Sequence, residues 1–203
     1  REETFPLVAK DLIIDPLQLA RAAHEGAKTV VIIAAACLPD LPEMLETCEI
    51  LGIEALVEVH NIDDIVVAEE CCQSLFLVNQ RNRETGELVV DHAARVAPYL
   101  PPDAVTLACG GISSIDQIRK LRRAGYDGFV IGRAFCGGDP DDFKALVKAI
   151  ADEPWPRQRI TEALSYVDFE NVKWENDEDE EEEEASTETA SLRGGRKNSA
   201  EEK

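Results

Sequence analysis

Residues 5–16 read FPLVAKDLIIDP, and the architecture can be traced from this stretch. Leu7–Ala9 is a short apolar strand, Lys10 follows it directly, and a helix follows Pro16. The same grammar recurs downstream. ALVEVH at 55–60 presents Glu58 from a strand end, and LFLVNQR at 75–81 presents Asn79. ACGGIS at 108–113 and FVIGRA at 129–134 are strands that run into glycines. A lysine, a carboxylate, an amide and two glycine turns at successive strand ends match a (β/α) barrel, which collects its active site at the C-terminal ends of its strands.

Apolar, β-branched runs occur at Leu7–Ala9, Thr29–Ala36, Ala55–Val59, Leu75–Val78, Val105–Ala108 and Phe129–Ile131. They are too continuous to alternate, which predicts parallel strands buried on both faces. Helical spacing of apolar residues fills the intervals. PLQLARAAHEGA closes at Gly26 and LPEMLETCEILG at Gly52, both suited to a C-cap. In SSIDQIRKLRRAGYDG, Ser113 or Ser114 is the N-cap, Ile115, Ile118 and Leu121 form the apolar stripe, and Gly125 ends the helix. Strand and helix alternate throughout, which predicts a parallel sheet. An open doubly wound sheet uses six strands as well as a barrel segment does. Functional residue types after nearly every strand, and no G-x-G-x-x-G after the first, favour the barrel.

The chain has 203 residues, enough for one domain with a real core, and a hydrophobic fraction of 44%. Its formal net charge is −20, of which −8 lies in residues 175–203 and −12 in residues 1–174. Such a surface repels nucleic-acid phosphates, so no nucleic-acid partner is expected. A small anionic substrate stays compatible, because a pocket can be positive inside a negative protein. The longest apolar run, TVVIIAAACL, is far shorter than the roughly 18 residues that span a bilayer, so no membrane partner is expected either. No signal peptide opens the chain, whose first residue is Arg1.

The six cysteines, Cys37, Cys48, Cys71, Cys72, Cys109 and Cys136, form no C-x-x-C pair, and no histidine stands at metal-ligand spacing. They read as small buried hydrophobes of a soluble protein in a reducing intracellular compartment, the plastid stroma if the source is a plant or alga. His24, His60 and His92 show no cluster. No metal or cofactor is expected.

AKDLIIDP, VVIIAAACL, ALVEVHNIDD, LVNQRNRETGEL and GGISSIDQIRKLRRAGYDGFVIGRAF occur in this order between Phe5 and Ala149. Together they resemble the indole-3-glycerol-phosphate synthase family of tryptophan biosynthesis, a (β/α)₈ TIM barrel. KD-x-IIDP, LVEVH and VN-x-R-N carry the likeness by their order and spacing. The resemblance implies that the chain supplies about six βα units, the family's third to eighth strands, and that the first two strands and an extra N-terminal helix precede Arg1. It also implies a carboxy-lyase that closes a ring, loses CO₂ and loses water, converting carboxyphenylamino-deoxyribulose phosphate to indole-3-glycerol phosphate. By the same likeness Lys10 is the general acid and Glu58 the catalytic carboxylate. Asn79 holds substrate hydroxyls, and Arg81 lies at the anthranilate carboxylate end. Gly110, Gly111, Gly132 and the backbone of Arg133 belong to the substrate- and phosphate-binding turns. The phosphorylated small molecule is then the chief partner.

One string departs from the family. Its seventh strand typically ends S-E-S-G-I, whereas this chain reads A-C-G-G-I, with Cys109 for the glutamate and Gly110 for the serine. A thiol does not replace a carboxylate in proton handling without thiolate activation. Each singled-out residue also has a bland use: Lys10 solvated, Glu58 in a structural ion pair, Asn79 satisfying loop backbone, the glycines serving turns alone. Residues 1–150 are read as the partial barrel domain, 151–174 as a C-terminal extension, and 175–203, with twelve acidic and four basic residues, as a disordered acidic tail. The extension and tail are candidates for docking a protein partner. The alternative to a lyase is a catalytically diverged phosphate-binding barrel acting as a scaffold.

Overall fold

The computed structural model describes residues 5–132 and 140–153. Arg133, Cys136, most of the C-terminal extension and the whole acidic tail lie outside the described residues. Six strands, β1 (Val8–Ala9), β2 (Thr29–Ile33), β3 (Glu54–Val59), β4 (Leu75–Asn79), β5 (Val105–Cys109) and β6 (Gly128–Val130), form one sheet in chain order. Every pairing is parallel. The helices are α1 (Pro16–His24), α2 (Leu41–Leu51), α3 (Ile62–Glu70), α4 (His92–Val96), α5 (Ile115–Arg123) and α6 (Pro140–Asp152). A doubly wound sheet reverses its strand order at a switch point. Here the order runs straight from β1 to β6, and the curled sheet is an arc of a (β/α)₈ barrel.

Two-residue alternation along each strand sorts side chains into two layers. Val30 and Ile32 of β2, Val57 and Val59 of β3, and Phe76 and Val78 of β4 pack into the larger core. The helices complete it with Leu19, Leu41, Met44, Ile65, Val96 and Ile118. Each such fully buried side chain contributes about 1.5–3 kcal/mol relative to exposure. Val31, Leu56, Leu77 and Cys109 form a smaller cluster on the opposite face of the sheet. Glu58 lies two residues beyond Leu56 and Asn79 two beyond Leu77, so both face the same side as that cluster.

Local chemistry fixes the helix ends. Asp15 accepts a hydrogen bond from the Leu17 N–H at 2.8 Å and shares a capping box with Gln18, and Pro16 occupies the first turn of α1. Ser114, rather than Ser113, caps α5 and forms a second box with Gln117. Gly52 ends α2 at φ 67°, a conformation that costs a residue with a Cβ.

The strand expected over Thr29–Ala36 stops at Ile33, and Ala34–Ala36 is a 3₁₀ turn. Pairing with β3 ends at Ile33 opposite Glu58, and the three alanines lack the branched Cβ that favours extended chain. The Cys37 N–H donates to the Ala34 carbonyl at 3.1 Å, which tightens the turn into α2. β4 and β5 each run one residue further than expected, because Asn79 pairs with Cys109.

Cys37, Cys48 and Cys109 are buried as expected, and Cys71 is half-buried. Cys72 is exposed, at φ 58° in the turn that ends α3, where no core reaches it. Among the described residues β1 and β6 pair on one side only. Phe5, Leu7, Val8, Leu12 and Ile14, in and beside β1, are exposed. No helix among the described residues is long and apolar enough to cross a membrane.

Candidate active site

The C-terminal ends of the strands converge on one constellation. Lys10 is the first residue after β1, Glu58 stands near the end of β3, and Asn79 and Cys109 end β4 and β5. Glu58 is buried, with its side chain 3% exposed, against 42% for Lys10. An ionised carboxylate at that depth needs partners on both oxygens. Lys10 Nζ ion-pairs with Oε2. Asn79 Nδ2 donates to Oε1 at 2.8 Å.

The amide of Asn79 is itself oriented. Its Oδ1 accepts from the Arg81 N–H at 3.1 Å, which turns the NH₂ toward Glu58. Gly110 is at φ +89°, and a Cβ there would stand 2.7 Å from Asn79 Oδ1. The missing side chain at Gly110 therefore makes room for the amide. Gly111 is at φ +69°, and a Cβ there would stand 2.5 Å from Leu88 Cδ1. Gln80 ties the rim together, donating its N–H to the Cys109 carbonyl at 2.9 Å and Nε2 to the Gly110 carbonyl at 2.8 Å. A Cβ at Gly132 itself would meet nothing within 4 Å among the described residues.

A cavity of about 590 Å³ opens on this rim, lined by Lys10, Asn79, Arg81, Gly110, Gly111 and Gly132 among others. Glu58 lies behind it and reaches it through the two side chains it holds, Lys10 and Asn79. Arg81 Nη1 donates to the Gly86 carbonyl at 2.7 Å, which fixes one edge of the guanidinium at the cavity wall. Cys109 also lines the cavity, but burial pushes its thiol up to about 12; the negative charge of Glu58 adds to the rise and Lys10 opposes it. At neutral pH it is a small neutral group, with no thiolate to act as base or nucleophile.

Lys10, Glu58, Asn79, Arg81, Gly110, Gly111 and Gly132 thus gather at one end of the sheet, while Arg133 lies outside the described residues. Further polar groups lie behind them. His60 and His92, which form no cluster in sequence, meet in the fold: His92 Nε2 donates to the His60 carbonyl at 2.6 Å. Asp64 is a second buried carboxylate. It accepts from the His60 N–H at 2.8 Å, and its own N–H donates to the Asn61 cap at 2.8 Å. The string NIDD after VEVH is the signal for it, since an Asn cap with acids in the first helical turn returns Asp64 to the strand end. Among the described residues no group of three or more His, Cys, Asp or Glu side chains is arranged to hold a metal ion.

The fold and rim define a partial (β/α)₈ barrel with a polar site at its strand ends. The family model for indole-3-glycerol phosphate synthase matches residues 2–150, and the chain belongs to that family. Among its relatives are the indole-3-glycerol phosphate synthases of Lachnoclostridium phytofermentans and Bacteroides thetaiotaomicron. The first is 33% identical over 65% of this chain and 49% of the relative. The second is 37% identical over 64% of this chain and 50% of the relative. The Mycolicibacterium gilvum synthase is 37% identical over 68% and 51% respectively. The chain spans about half the length of the curated relatives it matches. Solved structures share the fold alone. One described as native KDPGal matches with a TM-score of 0.51 at 17% identity, over 69% of this chain and 66% of that one. A FabK mutant from Thermotoga maritima matches at 0.52 and 13% identity, over 64% and 44%.

Proposed function

We propose that this chain supplies the catalytic rim of an indole-3-glycerol-phosphate synthase, a lyase that converts carboxyphenylamino-deoxyribulose phosphate to indole-3-glycerol phosphate by ring closure, decarboxylation and dehydration. The observation that carries the proposal is the shared placement of Lys10, Asn79 and Arg81 on one cavity wall, with Glu58 bonded to the first two. Lys10 is the acid. Its ammonium is part-exposed toward the cavity and donates a proton to the substrate carbonyl oxygen as the ring carbon attacks. Glu58 is the carboxylate that offsets the positive charge developing on nitrogen and takes up a proton afterwards. Its burial strengthens that electrostatic effect, because water does not screen it. Asn79 contacts the hydroxyl groups of the sugar chain. Arg81 meets the anthranilate carboxylate with a planar fork suited to it. The backbone N–H groups at Gly111, Gly132 and Arg133 hold the phosphate.

With Cys109 at the end of β5, no carboxylate lines the cavity among the described residues, and Glu58 stands behind it. Proton uptake therefore falls on Glu58, and the neutral thiol fills space. The scaffold alternative gains no support from the family match or from the names of the relatives. The test is to incubate the full-length protein with the carboxyphenylamino substrate and follow the fluorescence of the indole product. Appearance of product at a steady catalytic rate is expected. Substrate binding without product would overturn the lyase reading and return the barrel to a scaffold role.

A further inference from the structure

The mechanism above leaves one buried titratable group beside Glu58 unused. His60 follows β3 directly, and its side chain is 10% exposed. Nε2 lies 3.5 Å from Glu58 Oε1, and Nδ1 lies 3.9 Å from Asp64 Oδ2. Nδ1 is buried and has no hydrogen-bond partner among the described residues. The backbone of His60 is clamped on both sides, its N–H by Asp64 and its carbonyl by His92. A histidine held this firmly and facing two carboxylates is built into the site.

We infer that His60 is a positioning residue for Glu58, presenting its Nε2–H to Oε1 while Lys10 holds Oε2, with Asp64 fixing the His60 backbone through its N–H. Its consequence for catalysis rests on the lyase reading; its geometry does not. A neutral imidazole carries one N–H. On Nε2 that proton faces the nearer carboxylate, Glu58. On Nδ1 it would face Asp64, which already accepts from the His60 backbone and stands 3.5 Å from Arg83 Nη1. The charged groups that face the ring are Glu58 from β3, Asp64 from α3, Arg83 from the β4–α4 connection and His92 from α4. Burial holds the imidazole below its ordinary 6.5, and Glu58 and Asp64 pull it back up. The ring is therefore neutral near pH 7, and the tautomer decides which carboxylate it serves.

Two measurements on the full-length protein test this. The first is nitrogen NMR with ¹⁵N-labelled histidine, the His60 ring being assigned by its loss in His60→Gln. The expected neutral form carries its proton on Nε2, and Glu58→Gln moves the His60 titration to lower pH, because the negative charge that favours protonation is gone. A proton on Nδ1, or a titration unmoved by Glu58→Gln, would overturn the inference. The tautomer is read in the wild type, so that result does not depend on any variant folding. The second is steady-state kinetics. His60→Leu is expected to lower kcat about tenfold with KM little changed, the worth of one hydrogen bond to a charged group, and His60→Gln to recover most of it through its own amide donor. Equal losses in both variants would overturn a positioning role. If the wild type forms no product, the lyase reading fails, and the NMR result alone decides His60.

Discussion

At the scale of single residues, the decisive fact is that Glu58 is buried and fully engaged. Lys10 takes one carboxylate oxygen and Asn79 the other, so a group costly to bury becomes the anchor of the site. Lys10, Glu58 and Asn79 were legible because each stands at the C-terminal end of a strand, and a parallel barrel brings strand ends together. The placement of His60 was not legible, and for Asp64 the one signal is the NIDD string after VEVH. Strand and helix periodicity assigns faces, but it does not say that a histidine will meet another 32 residues away. The cysteines divide the same way. Apolar context correctly marked Cys48 and Cys109 as buried, and burial pushes their thiols up to about 11 and about 12. The same context failed at Cys72, which a turn throws outward. Brief iodoacetamide treatment of the native protein at pH 7.5 should therefore label Cys72 and spare Cys48 and Cys109, as read by peptide mass spectrometry. Labelling of Cys109 at a rate matching Cys72 would show that its thiol is neither buried nor held protonated.

At the scale of elements, the connection after β4 organises the rim. Arg81 and Leu88 form an antiparallel bridge, the Asn82 N–H donates to the Glu87 carbonyl at 2.9 Å, and Asn82 Oδ1 accepts from the Glu84 and Thr85 N–H groups at 2.8 Å. This small hairpin presents Arg81 and rests Leu88 on Gly111. The sequence pattern proposed Gly111 for an anion-binding turn; the packing makes it the seat for Leu88. Gly111→Ala should thus cost about 1–2 kcal/mol from the left-handed backbone alone, measured by guanidinium denaturation. It should also speed amide exchange at Asn82 and Gly86 as Leu88 is pushed off its seat. Unchanged stability and exchange would mean that the hairpin does not depend on Gly111. Elsewhere the element boundaries followed simple rules. Capping pairs set the starts of α1 and α5, and glycine ended α2. The miss at Ala34–Ala36 came from treating alanine as a strand former after the β-branched residues had run out.

At the scale of the whole molecule, strand order was legible. Continuous apolar runs alternating with amphipathic helices specify a parallel sheet, and the sequential order of β1 to β6 follows. The exposure of Phe5, Leu7, Val8, Leu12 and Ile14 goes with β1 pairing on one side only among the described residues. Stability also carries a pH signature at this scale. Burial depresses the folded-state affinity of His60 for a proton below that of a free imidazole, so the unfolded chain binds protons first as pH falls. The stabilisation from His60 is complete above about pH 6.5 and is lost progressively below it. Denaturation midpoints should fall between pH 7 and pH 5, and His60→Gln should flatten part of that fall. The raised thiols act with the opposite sign. Their contribution is complete below pH 9.0, the ordinary thiol value, and is lost as pH climbs toward 11 and 12. An identical acid profile in wild type and His60→Gln would remove His60 from this account.

The proposed pairing of Lys10 and Glu58 as one acid–carboxylate unit on the barrel rim is read most directly from the effect of Lys10→Met on turnover and on binding in the full-length protein. A general acid acts on the barrier more than on the ground state, so kcat should fall by about 10²-fold or more. The dissociation constant of the substrate, measured by calorimetry, should change by no more than a few-fold, since Asn79, Arg81 and the glycine turns remain. Loss of binding with kcat preserved would contradict the account, because Lys10 would then be an anchor for the substrate and the acid would have to be another group.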